Sequence, residues 1–334
     1  MLQLKTPNNI PVNVPENDLE DPSIKFNLAN IDSAIDYYNE YGYVIFQDII
    51  NQTLCDQASA IWNEHVVPTK RYMYRQATGK IEKNIIDKNN WVMNPILNLQ
   101  SLDPKYFSEL REFSVNSILT NKNLKTNLEA ILNGKIKIVQ SMFFQGNSET
   151  WEHQDTYYLD SEFLGSMTAA WIALEDIKAD AGRFFIVPSS HKITMEQQNK
   201  ETNIVDFHDV YIKNVLDEVR KSNLEVRAPN LNKGDVLFWN SRTIHGSLKQ
   251  SNKSSKSRLS ITCHAINNDH KFLQLQSIQH DLKCDEINGV MIWRPKDLSK
   301  AMNRAIFFIE SKFPTLFYLL KNIAVRYYVS NGSN

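Results

Sequence analysis

From Gly134 onward the chain is a series of short runs rich in Val, Ile, Phe, Thr and Trp, and this texture constrains the fold more than any other feature. KIKIVQSMFF, SMTAAWIALEDI, RFFIVPSSH, DVLFWNSRTIH and RLSITCHAI are separated by clusters of Gly, Asn, Asp, Ser or Lys. β-Branched and aromatic side chains fit a pleated, half-buried surface, and the intervening residues fit turns. Runs recurring at this spacing predict an antiparallel double-stranded barrel or jelly roll, interrupted by a helix at about 206–221. The expected fold class is mainly β with helical additions (α+β), built on a double-stranded β-helix core of the cupin-like kind.

The helical additions are read upstream and downstream of the core. Residues 1–30, with Pro7, Pro11, Pro15 and Pro22, predict an extended N-terminal arm. In IDSAIDYYNEYGYVIFQDII a helix runs to about Tyr41, Gly42 stops it, and YVIFQDI is strand-like. NQTLCDQASAIWNEHV and the segment 101–132 show helical spacing again, so 31–132 is expected to pack on a barrel at 135–280 within one domain spanning 31–285. A helical extension occupies 286–334. There Ile306, Ile309, Phe313, Leu316, Leu320, Ile323 and Tyr327 form an apolar stripe that Pro314 splits into two helices. The stripe is expected to pack on the barrel or to form a dimer contact, so the chain is a monomer or homodimer. Lys312, Lys321 and Arg326 beside Phe308, Phe313 and Phe317 admit a membrane-surface helix as a second reading.

Charge narrows the partners. Lys and Arg number 37 and Asp and Glu 38 in 334 residues, a formal charge of −1, so no global field gathers nucleic acid, and a small-molecule substrate is expected. Three cysteines without C-x-x-C spacing argue against a disulfide scaffold or structural zinc, which places the chain in a reducing compartment, the cytoplasm. No stretch approaches the roughly 18 apolar residues of a membrane span.

The chemistry is concentrated in WEHQDTYYLD. In an extended segment the side chains of His153 and Asp155, two residues apart, lie on one face and converge on a point above the sheet. His245, in GDVLFWNSRTIHGS, lies far enough along for the chain to travel round a barrel and return. Two histidines and one carboxylate make the facial triad that suits non-haem Fe(II) and leaves coordination positions open. A bidentate 2-oxo acid fills two of those positions and O₂ the third. Arg258, opening RLSITCHAI, offers a guanidinium fork for the distal carboxylate of 2-oxoglutarate, and Ser247 can donate to the same group.

With these blocks in order (YNEYGYVIFQDII, HQD, AWIALEDI, AGRFFIVPSSHK, GDVLFWNSRTIHGS and RLSITCH), the chain resembles the phytanoyl-CoA dioxygenase family of Fe(II)- and 2-oxoglutarate-dependent oxygenases over roughly 35–280. The resemblance implies that His153, Asp155 and His245 hold iron and that Arg258 and Ser247 clamp 2-oxoglutarate. It also implies that Gln154 and Trp171 contact the cosubstrate. The implied reaction couples oxidative decarboxylation of 2-oxoglutarate to succinate and CO₂ with oxidation, by default hydroxylation, of a substrate C–H bond. Related halogenases replace the carboxylate by a small residue, so Asp155 favours oxygen transfer. The loop GSLKQSNKSSKS is about two residues longer than is usual in similar sequences, which makes Lys256 the alternative clamp. An aromatic-lined pocket is expected from Tyr72, Tyr74, Trp91 and Met93 with Tyr157, Tyr158 and Phe163. That suits a small or medium organic molecule of specialised metabolism better than an acyl-CoA, for which no basic patch is legible. Two readings of other classes are a jelly-roll metal-binding protein without oxygenase activity and a zinc-dependent hydrolase or isomerase. His191 and His264 are read as turn or core histidines satisfied by backbone.

Overall fold

The computed structural model describes residues 1–146, 148–193, 208–251, 256–276 and 278–331. Eight strands carry the architecture: β1 (Tyr43–Phe46), β2 (Ile136–Phe144), β3 (Thr150–His153), β4 (Met167–Ala173), β5 (Phe184–Ile186), β6 (Val236–Asn240), β7 (His245–Ser247) and β8 (Ser260–Asn267). Strands β2, β8, β4, β6 and β1 pair antiparallel in that order, and β5, β7 and β3 form a second sheet. The expected jelly roll is the fold. Its two layers follow from the period of two along each strand. Ala170, Ile172, Phe238, Ile261 and Cys263 bury toward the helices. Their neighbours Ala169, Trp171, Leu237 and Trp239 pack instead with Phe184 and Ile186 of the small sheet.

Helices α1 (Ile31–Tyr41), α2 (Gln52–Ile61), α3 (Pro104–Phe113) and α4 (Lys122–Leu132) cover the outer face of the large sheet, and α5 (His208–Ser222) lies beside the small one. Gly42 ends α1 with φ 75°, its N–H returning to the Tyr38 carbonyl at 2.7 Å. A Cβ there would stand 2.4 Å from the His191 ring and 2.5 Å from Thr243 Oγ1, so the helix stop is also a packing requirement. The helical segment expected over 101–132 is α3, capped by Asp103 with Pro104 at its first position, then a π-helical turn at Ser114–Leu119, then α4.

Residues 1–30, expected as an extended arm, are built into the body. Leu2–Lys5 and Pro11–Val14 form an antiparallel pair, and Lys25–Phe26 runs parallel to β1. PVNV alternates exposed and buried side chains, so Val12 and Val14 reach the core beside Phe185, Val187 and Tyr211. At the other end α6 (Ala301–Lys312) and α7 (Pro314–Asn331) are split at Pro314, as expected. Their stripe does not pack on the barrel: Ile309, Phe313, Leu316, Leu320 and Ile323 are all at least half exposed. The hairpin is anchored instead by buried Glu310, which accepts from the hydroxyls of Tyr74 (2.8 Å) and Tyr318. Among the described residues no helix is long and apolar enough to cross a membrane.

Candidate metal centre and cosubstrate pocket

His153 is the last residue of β3 and His245 the first of β7, and the two face each other across the antiparallel ladder with ring centroids 4.3 Å apart. Gln154 is extended (φ −112°, ψ 138°), which returns Asp155 to the face that carries His153. One ligand atom from each of His153, Asp155 and His245 lies within 4.8 Å of the others. Asp155 Oδ1 stands 3.5 Å from His245 Nε2 and 3.9 Å from His153 Nε2. The neighbouring Gly246 is required by close approach, because a Cβ there would meet the Phe185 ring and the Thr150 carbonyl at 2.6 Å.

The tautomers are fixed by partners that can only accept. His153 Nδ1–H donates to the Trp151 carbonyl at 2.8 Å and His245 Nδ1–H to that of Thr243 at 2.9 Å, so both Nε2 lone pairs turn inward. Burial pushes the His245 imidazole down to about 4, outweighing the opposite pull of Asp155, and keeps it neutral. Burial alone would raise the Asp155 carboxyl, but His245, His264 and His153 around it hold it below the usual carboxylate range. The Trp239 indole N–H donates to Asp155 Oδ2 at 2.9 Å. Two imidazoles and one ionised carboxylate, oriented by second partners and partly open at His153, are a donor set that fits a divalent iron.

Arg258 and Ser247 lie toward one end of the same sheet pair. Ser247 pairs with Phe184, and Arg258 Nη1 donates to the carbonyl of Gly182, two residues before Phe184, at 3.2 Å. The Arg258 guanidinium is buried, lies 5.3 Å from the Phe144 ring centroid and leaves Nε without a partner. Burial pushes it down to about 9. A buried fork with no carboxylate partner among the described residues can take one from a ligand. Lys256, the alternative clamp, is exposed where Arg258 is buried; residues 252–255 of the loop lie outside the described residues. Trp171 is buried beside Phe184 and pairs with Thr262, whose buried hydroxyl has no partner. Gln154 turns elsewhere, donating its amide to the Arg242 carbonyl at 2.5 Å, which holds the ligand loop.

Two residues at the centre escape a reading by motif. Trp239 is one. The other is His264, buried, with Nε2 3.4 Å from Asp155 Oδ2 and neither ring nitrogen in a standard hydrogen bond; it is not the backbone-satisfied histidine expected. A signal for it existed. Arg258, Ser260, Thr262 and His264 alternate with Leu259, Ile261, Cys263 and Ala265, a polar face turned into the barrel. His191, by contrast, is a turn histidine, its Nε2–H donating to the Asn39 carbonyl at 3.1 Å.

A cavity of about 950 Å³ opens beside the barrel between residues 70–107 and α6. It reaches the barrel at Gln140, the ladder partner of His264, and at Leu159. Tyr72 and Tyr74 line it as expected, whereas Trp91, Met93, Tyr157, Tyr158 and Phe163 do not. Tyr157 stacks on Tyr211 at 3.7 Å, and the Tyr158 hydroxyl bonds His208 Nε2 at 2.7 Å. The basic patch invisible in the sequence is here: Lys70, Arg71, Lys83, Lys296, Arg304 and Lys321 line the cavity. Asp103 is the lone acid among its described lining residues, and it caps α3.

The sequence pattern of phytanoyl-CoA dioxygenase (PhyH) matches residues 38–260. Peroxisomal phytanoyl-CoA dioxygenase of Bos taurus is 28% identical over 134 residues, 39% of this chain and 37% of that protein. Phytanoyl-CoA dioxygenase domain-containing protein 1 of the same organism is 25% identical over 197 residues, 55% of this chain and 63% of its own length. The chain therefore spans between about a third and two thirds of these curated relatives. The non-heme alpha ketoglutarate dependent epimerase SnoN from nogalamycin biosynthesis shares the fold with TM-score 0.53 at 15% identity, over 79% of this chain and 98% of SnoN. The carbocyclase SnoK does so with TM-score 0.51 at 19% identity, over 72% and 85%. With two thirds of its length inside the family pattern, the chain belongs to the phytanoyl-CoA dioxygenase family.

Proposed function

We propose that the chain is an Fe(II)- and 2-oxoglutarate-dependent oxygenase that oxidises a C–H bond of an anionic organic substrate, with hydroxylation as the default outcome. One observation carries the reading: His153, His245 and an ionised Asp155 converge in a fold that also buries Arg258, whose guanidinium has no carboxylate partner among the described residues and whose Nε is unbonded, whereas its buried neighbour Arg183 is satisfied by Asn230 and backbone carbonyls. A protein that merely stores metal has no use for that cation. Bound iron with 2-oxoglutarate supplies the oxygen activation and the oxidant that removes a substrate hydrogen. The chain's residues do the rest. His153, Asp155 and His245 hold the metal, while Trp239 fixes the carboxylate. Arg258, with Ser247 and Trp171 beside it, orients the cosubstrate tail. Gln154 has its side chain committed to the Arg242 carbonyl, so its part is to place Asp155.

The cavity supports the substrate class. Six cations and the rings of Tyr72, Tyr74, Tyr106, Phe107 and Trp293 suit an acidic group carried on an apolar or aromatic body. Lys296 Nζ lies 4.0 Å from the Tyr74 ring centroid, and burial together with Lys321 lowers it to about 8. The three free cysteines support a reducing compartment such as the cytoplasm. The test is succinate release with Fe(II), ascorbate and 2-oxoglutarate, screened with carboxylate- or phosphate-bearing amphiphiles and their neutral esters. Acidic members are expected to stimulate turnover, and Arg304→Ala to raise their KM about tenfold, the loss of one charge-assisted contact. Equal stimulation by neutral esters overturns the substrate class, and turnover that survives Asp155→Ala overturns the reaction.

A further inference from the structure

The α6–α7 hairpin leaves a run of large apolar side chains exposed among the described residues. Along α6 and its C-cap, Met302, Ile306, Ile309 and Phe313 recur at four-, three- and four-residue intervals and are 40% to 73% exposed. On α7, Leu316, Leu319, Leu320 and Ile323 are each 58% exposed. Such stripes normally seat a helix on its core. Here the hairpin is held by other groups: Phe307 against Tyr74, and Glu310 between the hydroxyls of Tyr74 and Tyr318. Among the described residues nothing covers these apolar faces.

Charge identifies what that is. From Lys300 to Ile323 the cations are Lys300, Arg304, Lys312 and Lys321, and the only acid, Glu310, is fully buried. The hairpin thus presents apolar side chains and positive charge, with no exposed carboxylate among these residues. A second copy seated on this face by two-fold symmetry would set the same cations against each other with no acid to meet them. An anionic bilayer meets both features at once, burying the apolar stripes at the acyl boundary and the lysines among phosphates. The position is also apt. Arg304, Phe307, Phe308, Ser311 and Lys321 of the hairpin are walls of the 950 Å³ cavity.

We propose that the α6–α7 hairpin is a docking surface for an anionic phospholipid bilayer, which holds the cavity mouth at the lipid interface. The hairpin lies on the membrane rather than crossing it, in keeping with its mixed apolar and cationic character. An amphiphilic acid could then pass from the lipid into the cavity without entering water.

Vesicle flotation with the full chain tests this, using phosphatidylcholine vesicles with and without 30% phosphatidylglycerol. The chain is expected to float with the anionic vesicles and at least tenfold less with pure phosphatidylcholine or in 0.5 M NaCl. The double variant Leu319→Asp, Ile323→Asp is expected to lose at least tenfold in vesicle affinity with unchanged circular dichroism and melting temperature. Lys300→Glu with Lys312→Glu is expected to do the same without altering the apolar stripes. The proposal is overturned if neither vesicle binds, if the variants float as well as the parent, or if light scattering shows a dimer that the Asp variant dissociates while vesicles are ignored. No metal or 2-oxoglutarate enters the assay, so its outcome is independent of the oxygenase reading.

Discussion

Replacing Arg258 by Met should make the ligand-free protein more stable and deaf to 2-oxoglutarate. The guanidinium is buried, donates one hydrogen bond to Gly182 and faces no carboxylate among the described residues. Burial lowers it from 12.5 to about 9, and at about 1.4 kcal/mol per pKa unit the folded state bears on the order of 5 kcal/mol for keeping it charged at neutral pH. Methionine fills most of the volume without the charge, and exchanges of this kind return about 1–4 kcal/mol. At about 2 °C per kcal/mol for a chain of this length, the ligand-free melting temperature should rise by about 2–8 °C. The parent, loaded anaerobically with metal and held at a hundred times the 2-oxoglutarate Kd, should gain about 2.7 kcal/mol, or about 5 °C, and the variant should gain almost none. At neutral pH the guanidinium is a full cation in both the folded and the unfolded chain, so the gap between parent and variant should stay flat between about pH 6 and 8. Differential scanning fluorimetry reads both arms. A variant that melts lower without ligand yet keeps the 2-oxoglutarate increment would refute the reasoning.

Other substitutions probe the supports of the site. Trp239→Phe removes the indole donor to Asp155 and should weaken metal affinity about 10- to 100-fold with the fold intact, measured by Mn(II) titration calorimetry. Gly246→Ala forces a Cβ against the Phe185 ring and the Thr150 carbonyl, and should cost about 1–3 kcal/mol in urea melts while displacing His245 enough to reduce metal binding. Asp297 donates nothing but accepts from Arg111 Nη1 at 2.7 Å and from Ser299; burial raises its carboxyl, and these partners together hold it below its ordinary value. Its contribution is present above that ordinary value and lost as pH falls through the lower folded one, so Asp297→Asn should cost about 3–5 kcal/mol at pH 7 and flatten the acid limb of a stability profile.

The convergence of His153 and Asp155 was legible because its logic is local. A His-x-Asp in an extended segment puts two donors on one face whatever the rest of the chain does, and Gln154 is extended as that reading requires. The jelly roll was legible for the same reason, each run announcing its own strand. What escaped depends on pairings between distant segments. Trp239 reaches Asp155 only because β6 pairs with β4 beside the small sheet, and His264 only because β8 lies on β4's other side. The cationic cavity draws Lys70, Arg71 and Lys83 from one region and Lys296, Arg304 and Lys321 from another, so no run in the sequence looks basic. The apolar stripe of residues 306–323 was visible, but periodicity reports that a helix has a face and not what the face meets.

Anaerobic titration of the full chain with Fe(II) and 2-oxoglutarate, watching for the weak visible charge-transfer band of the chelate, tests the centre most directly. The band should form with the parent, vanish in His153→Ala with Asp155→Ala, and require far more 2-oxoglutarate in Arg258→Met. No band with the parent, or a band that persists without His153 and Asp155, would contradict the assignment.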